Sequence, residues 1–333
     1  MHIEEDTLDD LLHRVFKLAL KSKIRTLSTK GNARELLAVM LTLKNPLARF
    51  SSTEKRATLL TCLGETLWYF SGSNRLGVIE YYIPSYRSFI DVTKRAKIAP
   101  GAYGPRIFGP NVELSQLTRV VELLRVKNDT RQAVIQIFDR NDIGKKDVPC
   151  TCTLQFMARG GRLNMMTSMR SNDAYLGLPH DVFAFTWLQE VVARTLALDV
   201  GDYHHAVGSL HLYDRNERDA REYIEEGWQE GKLAMPSMPP GDPWPSVRWL
   251  LEEEQSIRTD VPRSSEAPDI DAYWSDLARL LRVHKLLKTK SLREIVRLKN
   301  VMSTPVYDAF IRTKSRAAWA APDTPLLDYA DSR

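Results

Sequence analysis

The residue best suited to covalent chemistry is Cys150, one of three cysteines with Cys62 and Cys152. It follows Pro149 at the start of an apolar segment, after the loop 139–148, where a thiol can meet solvent or a pocket and, as thiolate, act as a nucleophile. A cysteine at a strand start also serves as a small apolar group, so its neighbours must decide its role. Cys150 and Cys152 lie too close in sequence for an ordinary bridge, and three unevenly placed cysteines make no disulfide framework. A metal reading of Cys150-Thr-Cys152 needs two further ligands, and no CxxC or HxxxH supplies them. His204 and His205 are adjacent, and in a strand they face opposite sides. No metal is expected. Glu65 falls in the last two turns of a helical segment, where the macrodipole does not favour an acid, so it is either exposed or kept for a purpose. Tyr103 and Arg106 sit in the proline- and glycine-dense stretch 100–110, which reads as a functional loop.

The elements that must position these residues are legible in the apolar spacing. Leu8, Leu11, Leu12, Val15, Phe16, Leu18 and Leu20 give a helix over 7–21. Residues 36–43 form a buried strand or short apolar segment. Ser51-Ser52-Thr53-Glu54 supplies helix-start signals for a helix that runs through Leu59, Leu63, Leu67 and Phe70 to a stop at Gly72. Strands are expected at 133–138, 151–158 and 163–169, the last two joined at Arg159-Gly160-Gly161 as a hairpin. A buried helix of about 18 residues follows Pro179. After it come a strand at 203–212 and a helix at 215–227. Residues 233–245 are proline-rich and read as a linker or irregular wrap, with helices at 270–288, 292–299 and 307–320. Hydrophobic residues make up 43% of the chain and charged residues 27%, which describes a folded globular protein. Net charge is +5, but the basic residues are scattered, so a nucleic-acid partner is not expected. No apolar run approaches the roughly 20 residues of a membrane span, and the acidic start Met1-His-Ile-Glu-Glu-Asp is unlike a signal peptide; the expected location is cytoplasmic.

The ordered motifs Glu65-Thr-Leu-Trp-Tyr-Phe-Ser-Gly72, Tyr103-Gly104, Arg131, Pro149-Cys150-Thr-Cys-Thr-Leu-Gln155-Phe156, Arg170-Ser-Asn-Asp-Ala-Tyr-Leu-Gly-Leu-Pro179-His-Asp181 and His211-Leu-Tyr213 resemble the thymidylate synthase superfamily. Within it the pattern is most similar to the cytidylate 5-hydroxymethylases. The resemblance covers roughly residues 36–216. It implies an α+β fold of three layers around a mixed twisted sheet, with extra C-terminal helices: a catalytic core over 1–232 and a helical extension over 233–333 packed on it. It also implies a homodimer that shares active-site residues, a pyrimidine nucleotide substrate, and 5,10-methylenetetrahydrofolate as co-substrate. Carried over position by position, Cys150 is the nucleophile that adds to C6 of the base, Glu65 orders water and assists proton transfers, and Tyr103 is tied to removal of the C5 proton. Arg170 and Ser171 hold the phosphate, and Arg170 also stabilises the thiolate. Arg131 reaches the partner subunit's phosphate, while Gln132 stands where relatives carry a second arginine. Gln155 belongs to the substrate set, His211 and Tyr213 to the sugar hydroxyl, and Asp173, Trp68, Leu176 and Gly177 to the folate. Lys30 and Arg34 compete as the N-terminal phosphate ligand.

Asp181 is the residue that reads the base. Enzymes that methylate deoxyuridylate have asparagine at this position, which both donates and accepts. A carboxylate only accepts, so it opposes O4 of uracil and suits the 4-amino group of cytosine, a bias of about 1–3 kcal/mol. The substrate expected is therefore CMP or dCMP. Thr151 replaces a histidine of methylating members, and Ile83-Pro-Ser-Tyr86 lacks their shielding tryptophan, so water is expected to attack the one-carbon unit and leave 5-hydroxymethyl-cytidylate. Ser209 stands where many relatives carry aspartate. Ribose would place the enzyme in nucleoside antibiotic biosynthesis, deoxyribose in the modification of viral DNA. The rival readings are a thymidylate synthase acting on dUMP, a non-catalytic nucleotide-binding protein, and a structural protein with core cysteines.

Overall fold

The computed structural model describes residues 1–333 except 29, 52, 54–57, 91, 110–114, 228–232, 264–269 and 321–333. Among the described residues seven strands make one mixed sheet: β1 (His2–Glu5), β2 (Arg25–Ser28), β3 (Gly31–Leu43), β4 (Val134–Gln136), β5 (Thr151–Arg159), β6 (Arg162–Asp173) and β7 (Asp199–Tyr213). Their order is β1-β3-β7-β6-β5-β4, with β2 paired on β3. The β1/β3 and β6/β7 pairs are parallel, and the others antiparallel. Each parallel pair needs a crossover, and helices α1 (Leu8–Lys21) and α7 (Gly177–Thr195) supply the two. Gly160 and Gly161, both at positive φ, close the expected β5/β6 hairpin between paired Arg159 and Arg162.

The sheet carries a kink that shapes the site. Burial alternates along each long strand, and the alternation slips by one residue on a line that crosses the sheet. Buried positions pass from Leu36 to Val39 on β3, Val207 to Leu210 on β7, Met169 to Asn172 on β6, and Thr151 to Leu154 on β5. The β5/β6 register shifts at the same place, and Ala38 takes a φ of 50°. Stacked irregularities of this kind bend and twist strands. Gly208 allows the close approach, since a Cβ there would lie 3.0 Å from the carbonyl oxygen of Arg170. Beyond the slip, Asn172 turns inward to the helices.

Helices cover one face in layers. Thr7 caps α1 by accepting from the Asp10 amide, and α7 is buried from Leu178 to Ala193, as a helix sandwiched between sheet and helices must be. Above α7 lies α2 (Leu59–Phe70), every residue of which is buried. Further along come α3 (Leu76–Tyr82), α4 (Tyr86–Phe89), α5 (Gly104–Phe108), α6 (Gln116–Val126) and α8 (Glu217–Glu225). The outer layer is α9 (Trp244–Thr259), α10 (Ala272–Lys288), α11 (Leu292–Asn300) and α12 (Asp308–Ala320). It is bound to the inner helices by polar contacts within one continuous core: Trp187 donates to the Tyr273 hydroxyl at 2.9 Å, and Tyr82 to Glu254 at 2.8 Å.

Three expectations change. Helix α9 was not foreseen, because Pro243 and Pro245 read as an irregular wrap, whereas proline is tolerated in a first helical turn. The stretch 100–110 is not all loop; it holds α5, with Pro105 in its first turn. Helix α2 begins at Leu59, later than the Ser-Ser-Thr-Glu signal, of which Ser52 and Glu54 lie outside the described residues, as does the 232/233 boundary.

Gly64 fixes how α3 meets α2, since a Cβ there would fall 2.2 Å from Cγ of Tyr82. Gly64→Ala is therefore expected to destabilise the protein by about 3 kcal/mol through overpacking. Its urea midpoint, measured against the wild type, checks this.

Candidate functional site

A cavity of about 560 Å³ opens where the C-terminal ends of β6 and β7, the N-terminus of α7, helix α2 and the segment before β5 converge. Its wall includes Cys150, Glu65, Tyr103, Asp181, Arg170, Ser171, His211, Tyr213, Asp173, Leu176, Gly177 and Lys30. Twelve of the candidate residues, scattered from 30 to 213, thus meet in one place.

The Arg170 guanidinium is held by the carbonyl oxygens of Pro149 and Val148, each at 2.9 Å, and stands 3.7 Å from Cys150 Sγ. The cation is therefore beside the thiol, as expected. It does not prevail there: burial pushes the Cys150 thiol above its ordinary value, with Arg170 and Lys30 opposing and Asp181 and Asp147 adding to the rise. Arg170 thus favours the thiolate, while burial of the ligand-free site favours the thiol more.

The surroundings of Asp181 bear on what it can offer a base. Only 8% exposed, it accepts from Asn172 Nδ2 at 2.6 Å. Burial first, then the nearby Glu65 carboxylate, raise it to about 8. A raised value of this kind favours the carboxylic acid near neutral pH, with one O–H to give and one carbonyl to accept with, where the residue type alone reads as an acceptor-only carboxylate.

Glu65 is 7% exposed, so it is not a surface acid. Its Oε1 accepts from the Tyr69 hydroxyl at 2.9 Å, and its Oε2 lies 2.6 Å from Nδ1 of His180. The Tyr103 hydroxyl accepts the Thr151 amide at 3.3 Å, which sets it next to the thiol; burial, then Asp181 and Cys150, push this phenol well above its ordinary value. His211 packs edge-on against Tyr213, with ring centroids 4.9 Å apart, and its burial lowers the imidazole. Asp173 accepts the amides of Tyr175 and Leu176 and so fixes the turn into α7.

Four candidates lie elsewhere. Arg34 is engaged by Glu217 at 2.6 Å and by the Ser22 carbonyl, away from the cavity, whereas Lys30 lines it and donates to the Phe89 carbonyl. Trp68 is a core residue, 1% exposed and packed against Tyr69 and Tyr86. Arg131 is exposed outside the cavity, and Gln155 donates to its carbonyl at 3.2 Å, so neither touches this chain's own site. Ser209 is spent on Glu35.

Sequence reasoning missed several cavity residues. Arg215 stacks over the Tyr213 ring at 4.4 Å and holds the Lys30 carbonyl, while Lys145 and Lys146 add charge at the wall. The signal was available, as two adjacent lysines shortly before Cys150. Ile83 and Tyr86 line the cavity where a tryptophan was noted as lacking, so an aromatic ring does stand in that segment. Asn172 and His180 were quoted only as parts of a motif; their roles depend on contacts across 9 and 115 positions. All three cysteines are free. Among the described residues no cluster of three or more His, Cys, Asp or Glu is placed to hold a metal, and no helix is long and apolar enough to cross a membrane.

The family model for thymidylate synthase matches residues 9–238, which includes every strand of the sheet but β1 and every cavity residue named above. The deoxyuridylate hydroxymethyltransferase of Bacillus phage SP01 is 30% identical over 198 residues, 54% of this chain and 50% of the relative. The chain thus spans about half the length of that relative. A matched segment of this extent, folded as a mixed sheet with crossover helices and gathering its motif residues around one cysteine, shows that the chain belongs to the thymidylate synthase family.

Proposed function

We propose that this chain is a one-carbon transferase of pyrimidine nucleotides that adds Cys150 to C6 of cytidylate, CMP or dCMP, and leaves a hydroxymethyl group at C5. The observation that carries the reading is the shared cavity: a thiol, an arginine 3.7 Å from it, and two buried carboxyl groups on one wall. Arg170, Ser171 and Lys30 hold the phosphate, helped by Arg215, and His211 and Tyr213 hold the sugar. Asp173, Leu176 and Gly177, with the apolar wall of Ile83, Phe89 and Ile90, fit a folate; 5,10-methylenetetrahydrofolate supplies the one-carbon unit. The family's homodimer suits the exposed Arg131, which has no role in its own cavity and would reach the phosphate of the partner's site.

Cytidylate is favoured by the protonated state of Asp181. Its O–H donates to N3 of cytosine, a basic nitrogen, while its carbonyl accepts from the 4-amino group. As Cys150 adds to C6, N3 takes the proton and the resulting carboxylate faces two donors. Against uracil the same acid finds only a weakly basic carbonyl at O4. A uridylate reading is nonetheless supported by the name of the phage relative and by the absence of any donor–acceptor clash while Asp181 keeps its proton.

Purified protein with methylenetetrahydrofolate should release tritium from C5-labelled CMP or dCMP and give 5-hydroxymethyl-cytidylate without dihydrofolate. Dihydrofolate absorbance would overturn the hydroxymethyl product, and faster release from labelled dUMP at pH 7 would overturn the base.

A further inference from the structure

The contacts of His180 with Thr61 and Glu65 bear on where a proton sits. The Thr61 hydroxyl has one hydrogen, and it is given to the Thr58 carbonyl at 2.8 Å. Towards His180 Nε2, 3.3 Å away, the Thr61 oxygen can therefore only accept, so in this contact Nε2 is the donor. On the other side of the ring Nδ1 lies 2.6 Å from Glu65 Oε2. A bare nitrogen lone pair facing a carboxylate oxygen at that distance would be repulsive, so one proton lies between them, on either atom. The remaining Glu65 oxygen is filled by the Tyr69 hydroxyl. Both Glu65 and His180 face the cavity that holds Cys150.

We propose that His180 is a positioning residue that shares a single mobile proton with Glu65, and that this proton is lent and recovered when an amine is exchanged for water at the one-carbon unit. The inference rests on the hydroxymethyl-transfer reading above. With the one-carbon unit bridging C5 and the folate, the C5 proton is lost to solvent, its electron pair becomes the exocyclic π bond, the carbon–nitrogen bond breaks with its pair going to nitrogen, and nitrogen takes the proton from the Glu65–His180 pair. Water then forms a carbon–oxygen bond at the same carbon, the exocyclic π pair returns to the ring, and the water's surplus proton restores the pair. One proton leaves and one returns, with no change in oxidation state.

Two experiments test this. In ligand-free protein labelled with nitrogen-15 in histidine, the shared proton should appear as a far-downfield resonance coupled to a histidine Nδ1. The resonance should be missing from His180→Gln and from Glu65→Gln. With nucleotide and folate, His180→Gln keeps a donor towards Glu65 but cannot carry the proton, so turnover should fall by about 10²-fold or more. The KM for nucleotide should stay nearly unchanged, and denaturing mass spectrometry should show a nucleotide–folate adduct accumulating on Cys150. His180→Gln with wild-type turnover, or slowed without the adduct, would sink the proposal, as would absence of the resonance in the wild type. If the resonance is present but the wild type makes no hydroxymethyl product from any pyrimidine nucleotide, the shared proton stands and the assigned use of it is overturned.

Discussion

Asp181→Asn is expected to raise the melting temperature of the ligand-free protein at pH 8 while cutting cytidylate turnover by about 10²–10³-fold. The stability effect follows from where the proton goes on folding. An unfolded aspartate ionises near 3.8, whereas buried Asp181 keeps its proton up to about 8. Because the folded group has the raised value, folding takes up a proton between these limits, and stability falls as pH rises through that window, by about 1.4 kcal/mol per unit. At pH 4 wild type and variant should melt alike; at pH 8 the asparagine avoids a cost of at most about 5 kcal/mol. Asparagine can still accept from Asn172, so the local contact survives. Thermal melts of both proteins across pH 4–9 decide the matter, and parallel curves would show that Asp181 is not held protonated. The activity effect has a separate cause: an amide can pair with cytosine but cannot hand a proton to N3. Cytidylate turnover should drop in the variant while uridylate turnover does not, shifting preference towards uridylate.

Much of the candidate site is legible in the sequence because its chemistry is written in residue type and order. Cys150, Glu65, Tyr103, Arg170 and Asp181 carry functional groups that residue type and order alone mark as candidates, and the long strands and α7 announce themselves by periodicity. What could not be read were quantities set by the environment. The sequence shows a carboxyl group at 181 but not its burial beside Glu65, which turns an acceptor into an acid. It shows an arginine twenty positions from the cysteine but not whether desolvation or charge prevails at the thiol. Arg34 and Lys30 are equivalent as residue types; only the fold reveals that Glu217 occupies one of them. Trp68 looked like a cofactor contact because aromatic residues serve both cores and pockets, and α9 was hidden by prolines that mark a helix start as readily as a loop.

Cys150 itself should react slowly. Since burial raises its thiol, alkylation of the ligand-free protein by iodoacetamide is expected to be slow at pH 7 and to climb only above the ordinary thiol range. Arg170→Gln should move that climb higher still, because the guanidinium is the largest influence opposing the rise. An alkylation midpoint below that of a free thiol, or one unmoved in Arg170→Gln, would overturn this view of the nucleophile. Cys150→Ser should reduce C5 tritium release by on the order of 10⁴-fold or more, as loss of a covalent nucleophile does. Together the two groups imply an inverted pairing, in which the reactive form needs the group of lower value, Asp181, protonated and the group of higher value, Cys150, ionised. Cytidylate kcat/KM should then follow a bell, rising as the thiol ionises and falling as Asp181 loses its proton, with its maximum between the two values and only a small fraction of molecules correctly charged. In Asp181→Asn the falling limb should vanish and the rising limb remain, which separates the acid from the thiol in a single pair of profiles.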